Sequence, residues 1–334
     1  MSSPDHVSPG GAIAVPAGRD YASGFRAIRR STLFYPAVGL IVVCIVMAFA
    51  SDSFFTASNL QNIGRQVSIN AIIAVGMTYV ILTGGIDLSV GSVMALAGTV
   101  AAGLMIGGLN AVLSLIAALL IGLAFGAGNG FFVAYAGMPP IIVTLATMGI
   151  ARGLALIYTG GYPLDGLPDW VSFFGNGRIF GVQTPIIITL IVYAIAWVLL
   201  EWVPFGRYVY AIGGNETATR LSGVRVARAK LIVYAISGFT TAIAAIVLTS
   251  RLMSGQPNAG IGFELDAIAA VVLGGTSIAG GRGSVIGTLL GALLLGVLNN
   301  GLNMVGVNPY VQTVIKGVII LLAIAIGRER RAKR

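Results

Sequence analysis

The chain has 334 residues, of which 57% are hydrophobic and only 9% are charged. A soluble domain carries roughly 25% charged residues, so this composition argues against a soluble enzyme and indicates a protein embedded in membrane lipid. The formal net charge of +9 does not indicate a nucleic-acid partner, because most of the positive residues lie in three blocks within polar segments beside apolar runs.

Apolar runs of about twenty residues recur along the chain between polar or Gly- and Pro-containing stretches, and each predicts a transmembrane helix. Pairs such as Gly122 with Gly126 and Gly287 with Gly291 have the small-xxx-small spacing that lets membrane helices approach closely. The predicted fold class is all-α, a polytopic inner-membrane bundle of about ten helices within residues 33–327. The predicted spans are 33–50, 66–83, 88–107, 110–136, 140–159, 184–202, 231–252, 263–279, 284–303 and 310–327.

Charge patterning predicts which side of the membrane each end faces. An even number of spans leaves both termini on one side, and the arginines near them place that side in the cytoplasm by the positive-inside rule. We therefore predict a disordered cytoplasmic tail over residues 1–32 and a basic cytoplasmic tail over residues 328–334. The loop 203–230 then also lies inside, in agreement with its own five positive residues.

On the opposite side, residues 160–183 form a long loop that contains Trp170, Phe173 and Phe174. Their spacing predicts a short helix lying in the membrane interface, with its aromatic rings at the level of the lipid headgroups. Two Asp residues against one Arg give this loop a net charge of −1, in contrast to the basic loop on the inner side.

Two stretches resemble each other, GGIDLSVGSV from Gly84 and GGTSIAGGRGSV from Gly274. Both contain a GG pair, a short polar turn and GSV at the start of a new apolar run. Both also follow a span that is predicted to run inward, so a duplication would be a parallel repeat of the kind found in transporters. True duplication and chance similarity in a Gly-rich membrane sequence both remain open.

Catalytic chemistry is missing from the sequence. None of the three lysines precedes Ser or Thr, so the chain has no P-loop for ATP. We find no His, Cys and carboxylate cluster with metal spacing and no Ser–His pair for acyl transfer. The sequence predicts neither enzymatic activity nor a cofactor for this chain alone.

Asp87 is the charge that falls between two apolar runs, in LTGGIDLSVG. A charge at the bilayer centre costs roughly 2.5–3.5 kcal/mol on insertion scales, so it should face protein, water or a helix terminus. One interpretation is a broken-helix element that lines a pathway, with Gly84 and Gly85 interrupting the backbone. The other is a cytoplasmic turn in which Asp87 caps the next span through its first backbone N–H groups. The two interpretations are compatible.

Three asparagines, Asn299, Asn300 and Asn303, form a polar cluster late in the ninth span. They would either hydrogen-bond a polar solute in a cavity or join neighbouring helices, at about 0.6 kcal/mol per bond. We favour the structural interpretation. The spans contain no chain of carboxylates that would couple transport to protons or sodium ions.

The stretch AIGGNETATRLSGVRV, residues 211–226, is polar in an otherwise apolar chain. Gly213 and Gly214 predict a flexible approach, and Asn215 predicts an N-cap for a helix that starts at residue 216 or 217. Gly223 predicts the left-handed residue that ends this helix. The result is a helix of one to two turns across the cytoplasmic face, whereas a loop that only sets topology needs no such compact shape.

The string GRYVYAIGGNETATRLSGVRVARAKLIVYAISG resembles the permease subunits of bacterial ABC sugar importers of the ribose, xylose and galactoside type. TGGIDLSVGS and AVVLGGTSIAGGRGSVIGTLLGALLLGVLNNGLN look like the other two strongest stretches of that family, in the same order. The resemblance extends over essentially the whole membrane region, and branched-chain amino acid permeases look like more distant relatives.

The resemblance implies a homodimeric permease in the inner membrane that receives sugar from a periplasmic binding protein and is powered by ATPase domains on other polypeptides. It also implies a cytoplasmic coupling helix that contacts the ATPase. The coupling residues carried over are Gly214, Asn215, Glu216, Ala218, Arg220, Leu221 and Gly223. The residues expected along the translocation pathway are Gly84, Gly85, Asp87, Ser89, Gly274, Gly275, Thr276, Asn299, Asn300 and Asn303.

Two alternatives differ in class from this function, namely an ion-coupled carrier that works alone and a passive channel or scaffold. Neither explains the compact polar helix on the cytoplasmic side. Within the resembling family the sequence does not select a solute, and pentoses, hexoses, polyols, nucleosides and signalling furanosides all remain open.

Overall fold

The computed structural model describes residues 33–332, so the predicted tail over 1–32 lies outside the described residues. The 3-10 turn is Asp169–Ser172, and the strands are β1 (Leu164–Asp165), β2 (Arg178–Ile179), β3 (Val182–Gln183) and β4 (Ser254–Gly255). The helices are α1 (Phe34–Ala50), α2 (Ala57–Leu82), α3 (Val90–Ile106), α4 (Ala111–Ala134), α5 (Pro140–Thr159), α6 (Phe173–Asn176), α7 (Thr184–Glu201), α8 (Pro204–Gly214), α9 (Glu216–Leu221), α10 (Val226–Leu252), α11 (Phe263–Leu273), α12 (Val285–Met304) and α13 (Pro309–Ala332).

The predicted helical class is confirmed. Within the described part of the chain, six helices are long and apolar enough to cross a membrane, namely α2, α4, α5, α7, α10 and α12. Helices α1 and α3 are apolar but shorter. The expectation of a continuous span over 263–279 is wrong, because α11 ends at Leu273 and a glycine-rich turn follows.

Successive long helices along the chain alternate in direction relative to one end of the bundle, which we call the α9 end because α9 lies there. Helices α2, α4, α7, α11 and α13 run toward the α9 end, and α1, α3, α5, α10 and α12 run away from it. The outer loop 160–183 lies at the opposite end, where β1 pairs with β4. In that loop the predicted short helix is present as the 3-10 turn followed by α6.

Small residues set the closest helix packing, as their spacing predicts. A Cβ at Gly122 or Gly126 would overlap backbone carbonyl oxygens of α10, so these two helices touch through their main chains. A Cβ at Gly287 or Gly291 would likewise overlap carbonyl oxygens at the end of α11. Such contacts allow dispersion attraction between backbones where lipid provides no hydrophobic drive for association.

Two non-helical segments enter the bundle from opposite ends. The first re-entrant segment, residues 83–89, turns back from the α9 end and leads into α3. The second re-entrant segment, residues 253–262, enters from the opposite end and leads into α11. Asp87 bonds Ser237, eleven residues into α10, so the first segment reaches about 16 Å along that helix at 1.5 Å per residue. The start of α3 therefore lies deep in the bundle.

Candidate functional site

Helix α9 has the capped geometry that its sequence predicts. The Asn215 side-chain oxygen accepts a hydrogen bond from the Ala218 backbone N–H at 2.9 Å, as an N-cap does. Gly223 has a φ of +84°, a left-handed conformation that a residue with a Cβ adopts at a cost. The compact turn is thus specified locally by residues at its two ends.

A small ionic cluster attaches α9 to the start of α10. The Glu216 carboxylate accepts from Arg220 at 2.9 Å and from Lys230 at 2.5 Å. Burial raises the pKa of Glu216, but the hydrogen bonds and charges of Lys230 and Arg220 outweigh it and hold that pKa below its ordinary value. Glu216 therefore stays ionised at neutral pH and is committed to partners within this chain.

Two other predicted coupling positions point outward. Leu221 is 85% exposed at the end of α9, although a large apolar side chain gains nothing from water there. Ala218 is also exposed, whereas Thr219 between them is buried. The short polar helix α9 thus presents one large apolar side chain, that of Leu221, to the surroundings.

Helix α8, which the sequence reasoning did not anticipate, precedes α9. Pro204 starts it, and the buried side chains of Val209 and Ile212 face the bundle. The expectation that Gly213 and Gly214 are a flexible approach is wrong, because both belong to the last turn of α8. The signal for α8 was Pro204 at the first helical position, followed by apolar residues at helical spacing.

Two glycine turns lie at the α9 end, the first at Gly84 and Gly85 after α2 and the second at residues 274–283 after α11. The glycine junction is the place where α8 meets both turns, and it consists of Gly84, Gly213, Gly280 and Gly281. The Gly281 N–H donates to the Leu82 carbonyl at 2.9 Å. A Cβ at Gly213 would overlap both the Leu82 oxygen and the Gly281 nitrogen. Three chain segments therefore touch here through backbone alone, two residues before Asn215, the cap of α9.

The turn after α11 holds three of the predicted pathway residues. Gly274 packs against the backbone of Gly287, so a side chain does not fit there. Gly275 has a φ of +89°. The Thr276 hydroxyl is buried and has no hydrogen-bond partner in the described structure. This turn lies at the α9 end, close to the first glycine turn.

Asp87 is buried, with 1% of its surface exposed, and is the acceptor at the end of a hydrogen-bond chain. Oδ1 accepts from the Ser89 N–H at 3.0 Å and hydroxyl at 2.6 Å, and Oδ2 accepts from Ser237 at 2.8 Å. Asn129 donates to Ser89, and Thr147 donates to Asn129. Every donor in this series of hydrogen bonds points toward the Asp87 carboxylate, so the bonds reinforce one another.

The capping interpretation of Asp87 is wrong in detail. Its backbone partner is Ser89, the residue before α3, and not an N–H of the first turn. Asp87 also lies deeper than the inner face, because its partner Ser237 is eleven residues into α10. Gly85 packs beside this site, where a Cβ would overlap the hydroxyl of Tyr234.

The second re-entrant segment is held by a charge from another helix. Arg152 Nη1 on α5 donates to the carbonyl oxygen of Pro257 and, at 2.9 Å, to that of Ala259. A Cβ at Gly91 would overlap the carbonyl oxygen of Gly260, so the segment crosses the first turn of α3 at van der Waals contact. The starts of α3 and α11 therefore meet deep in the bundle.

The asparagine cluster lies at the opposite end and makes contacts between helices. Asn300 and Asn59 exchange two hydrogen bonds at 3.0 and 3.1 Å. Gln312 donates to Asn303 at 2.8 Å, and the Asn299 side-chain oxygen is buried with no partner in the described structure. The structure does not bring these asparagines together with the glycine turns.

A bundle of apolar helices that encloses two interrupted segments defines a polytopic membrane transport protein. The family model "Branched-chain amino acid transport system / permease component" matches residues 59–324. The chain belongs to this permease family and is a multi-pass protein of the inner membrane. No solved structure matches the chain.

Similar proteins align over almost their full length. The ribose import permease protein RbsC of Bacillus subtilis (strain 168) is 48% identical over 299 residues, covering 89% of this chain and 93% of that protein. The protein of the same name from Escherichia coli (strain K12) is 50% identical over 88% of this chain and 93% of its own length. The D-allose transport system permease protein AlsC of Escherichia coli (strain K12) is 40% identical over 86% and 89%.

Proposed function

We propose that this chain is the transmembrane permease subunit of an ABC importer for a monosaccharide, a pentose, hexose or related polyol. A periplasmic binding protein delivers the solute, and separate ATPase subunits supply the energy. The relatives named for ribose and D-allose support the solute class. The observation that carries the mechanism is α9, a capped polar helix with an exposed leucine, joined through the glycine junction to both glycine turns.

The proposed topology has ten crossings with both termini in the cytoplasm. The second re-entrant segment and α11 together count as one crossing, beside α1, α2, α3, α4, α5, α7, α10, α12 and α13. Helix α1 runs away from the α9 end and α13 runs toward it, which supports termini on one side. The positive residues of the loop 203–230 support an inner position for the α9 end.

In the proposed coupling mechanism, the ATPase first binds α9. Leu221 enters a groove on the ATPase, and Arg220 lies beside it with its side chain largely exposed. Glu216 keeps α9 attached to α10 through Lys230. Closure of the ATPase dimer then moves α9, α8 and the start of α10 as one unit, because the contacts between them are short and rigid.

That motion reaches the pathway by two routes. The glycine junction passes it to Leu82 and to the turn containing Gly274, Gly275 and Thr276. Helix α10 passes it to Asp87 through Ser237. In this proposal a second copy of the chain completes the permease as a homodimer, and the solute moves along the first re-entrant segment.

The function is tested by reconstituting the chain in proteoliposomes with its ATPase and binding protein. D-ribose, D-allose and L-arabinose are scanned for stimulated ATP hydrolysis and for uptake. We expect one sugar to give uptake that requires ATP and the binding protein. Uptake that persists without the ATPase would instead identify an ion-coupled carrier or a channel.

Coupling is tested with Leu221→Ser and with Thr217→Ser as its control, since both side chains are exposed and neither change disturbs packing. Leu221→Ser should lower stimulated ATP hydrolysis and uptake by about tenfold, from the loss of roughly 1.5 kcal/mol of buried apolar contact with the partner. Thr217→Ser should leave both unchanged. Equal activity of the two variants would remove α9 as the coupling helix.

A further inference from the structure

The crossing of the two re-entrant segments leaves residues of irregular structure exposed at depth. Asn258 is exposed in the second segment, and Ile261 is 70% exposed. Irregular backbone within the hydrocarbon layer is tolerated only where protein covers it or where it lines a water-filled cavity. This face of the chain therefore does not contact lipid.

Two charged side chains lie at the same face, and both are half-buried. Arg152 is twelve residues into α5, about 18 Å from its start at 1.5 Å per residue. Glu264 lies in the first turn of α11, with its Oε1 accepting from the Gly262 N–H at 3.2 Å. Each is an ionisable group at membrane depth, where such groups commonly mark a solute path.

Both groups keep hydrogen-bonding capacity after their contacts within the chain are made. Among the described residues, both hydrogen bonds of the Arg152 guanidinium come from Nη1, so Nε and Nη2 remain as donors. Glu264 uses Oε1, which leaves Oε2 as an acceptor beside Gly91. Arg152 binds the Ala259 carbonyl and Glu264 Oε2 lies beside Gly91, next to the Gly260 carbonyl, so the two groups flank residues 259–260 with no direct ion pair between them in the described part of the chain.

We infer that Arg152 and Glu264 form a contact site for the hydroxyl groups of the solute at the crossing of the two re-entrant segments. A hydroxyl both donates and accepts, so one hydroxyl or two neighbouring ones match a free guanidinium N–H and a free carboxylate oxygen. Gly91 and Gly260 pack against each other through their main chains, which brings the starts of α3 and α11 together beside Glu264. The inference rests on the proposed function and names residues that the sequence reasoning did not assign to the pathway.

The site moves with the transport machinery. The second segment leads directly into α11, and α11 ends at the glycine turn beside α8. A shift of that turn would change the separation between Glu264 on α11 and Arg152 on α5. The solute contact is thereby made in one state of the permease and released in another.

The experiment is a cycle between protein and solute in the reconstituted importer. It uses the sugar among D-ribose, D-allose and L-arabinose that gives the strongest stimulation, together with its monodeoxy analogues. The binding protein is saturated with each sugar, and uptake is expressed per ATP hydrolysed. For wild-type protein we expect uptake of at least one deoxy sugar per ATP hydrolysed to be about tenfold lower than that of the parent sugar, which is the scale of one hydrogen bond to a charged group.

In the variants Arg152→Gln and Glu264→Gln, uptake of the parent sugar per ATP hydrolysed should fall about tenfold. Uptake of that deoxy sugar should fall no further, because the contact it lacks is already gone. Arg178→Gln, on the exposed outer hairpin, should keep the wild-type pattern. If Arg152→Gln fails to fold, Glu264→Gln carries the test alone. Equal losses for all sugars would assign both residues a structural role and overturn the inference. Absence of ATP-dependent uptake by the wild-type protein would instead overturn the proposed function.

Discussion

The two re-entrant segments reach the middle of the bundle from opposite ends and are held there by different chemistry. The first carries its own charge, Asp87, and side chains from neighbouring helices satisfy it. The second carries no charge from residue 253 to 262, and Arg152 reaches in to bind its backbone carbonyls. The first segment is thus fixed by its own sequence, whereas the second is fixed by a residue a hundred positions earlier.

This difference predicts how each segment tolerates change. Substitutions inside the first segment remove the acceptor on which several donors converge. Substitutions inside the second segment leave its carbonyl oxygens in place, because every residue has one. The contacts with Arg152 are therefore more sensitive to changes in α5 than to changes in the second segment itself, apart from Gly255 and Gly260, where a Cβ would overlap α3.

The largest expected effect is that of Asp87→Asn. With its amide oxygen toward Ser89 and its amide nitrogen toward Ser237, the new side chain forces the Ser237 hydroxyl to turn and accept, and the charge-assisted hydrogen bonds of the carboxylate are replaced by weaker neutral ones. We expect the free energy of unfolding to fall by about 3 kcal/mol, measured by denaturant titration in detergent. Asp165→Asn, on the exposed outer loop, is the control and should change nothing. Equal stability of the two variants would mean that the Asp87 network does not hold the first segment.

The next largest effect concerns the junction that serves both segments. Gly213→Ala places a Cβ onto the Leu82 oxygen and should cost about 2 kcal/mol of stability, as overpacking does. Gly214→Ala is the matched control, because a Cβ there meets open space and Ala favours the helix. The same denaturant titration compares them. A junction that tolerates both changes equally would not be tight enough to transmit motion.

A smaller effect is expected beyond the second segment, where Lys316 pairs with Asp266 of α11 at 3.1 and 3.3 Å. Both side chains are about one-fifth exposed, at 23% and 22%. A double-mutant cycle with Lys316→Met and Asp266→Asn should give a coupling energy of about 1 kcal/mol. Reversing both charges together should restore part of the loss. Strictly additive single effects would show that this pair does not fix α11.

The smallest effect is the pH dependence of α9, which lies outside both segments. Because the folded pKa of Glu216 is lower than its ordinary value of 4.5, its stabilising effect is complete above that pH. The effect is lost as the pH falls through the folded pKa. Hydrogen exchange of the α9 amides, corrected for the intrinsic rate, should therefore lose protection only under acid conditions. Glu216→Gln should abolish this dependence, and an unchanged profile in that variant would exclude Glu216 as its source.

Local signals allowed α9 to be predicted from the sequence. Asn215 as the cap and Gly223 as the left-handed stop act within a few residues, so their chemistry is the same in any fold. The small-residue pairs in α4 and α12 were predictable for a similar reason, because a side chain at those positions prevents close approach whichever helix is the neighbour. Most helix boundaries followed from hydropathy.

The crossing could not be predicted in the same way. Residues 263–279 have the hydropathy of a span, but α11 ends at Leu273, where Gly274 packs against the backbone of Gly287 and Gly275 has a left-handed φ of +89°. Arg152 is a charged residue within a predicted span, but its partners are backbone carbonyls, which leave no pattern in a sequence. Ser237 and Asn129 became relevant only once folding placed them beside Asp87 and Ser89.

The pairing of β1 with β4 joins the outer loop to the first residues of the second re-entrant segment. Leu164 lies opposite Gly255, and Asp165 lies opposite Ser254. The outer loop therefore cannot lift from the bundle without unzipping the strand that leads to the crossing. A force that displaces the outer loop is therefore transmitted to the crossing through only a few peptide units. This mechanical link does not involve the ATPase.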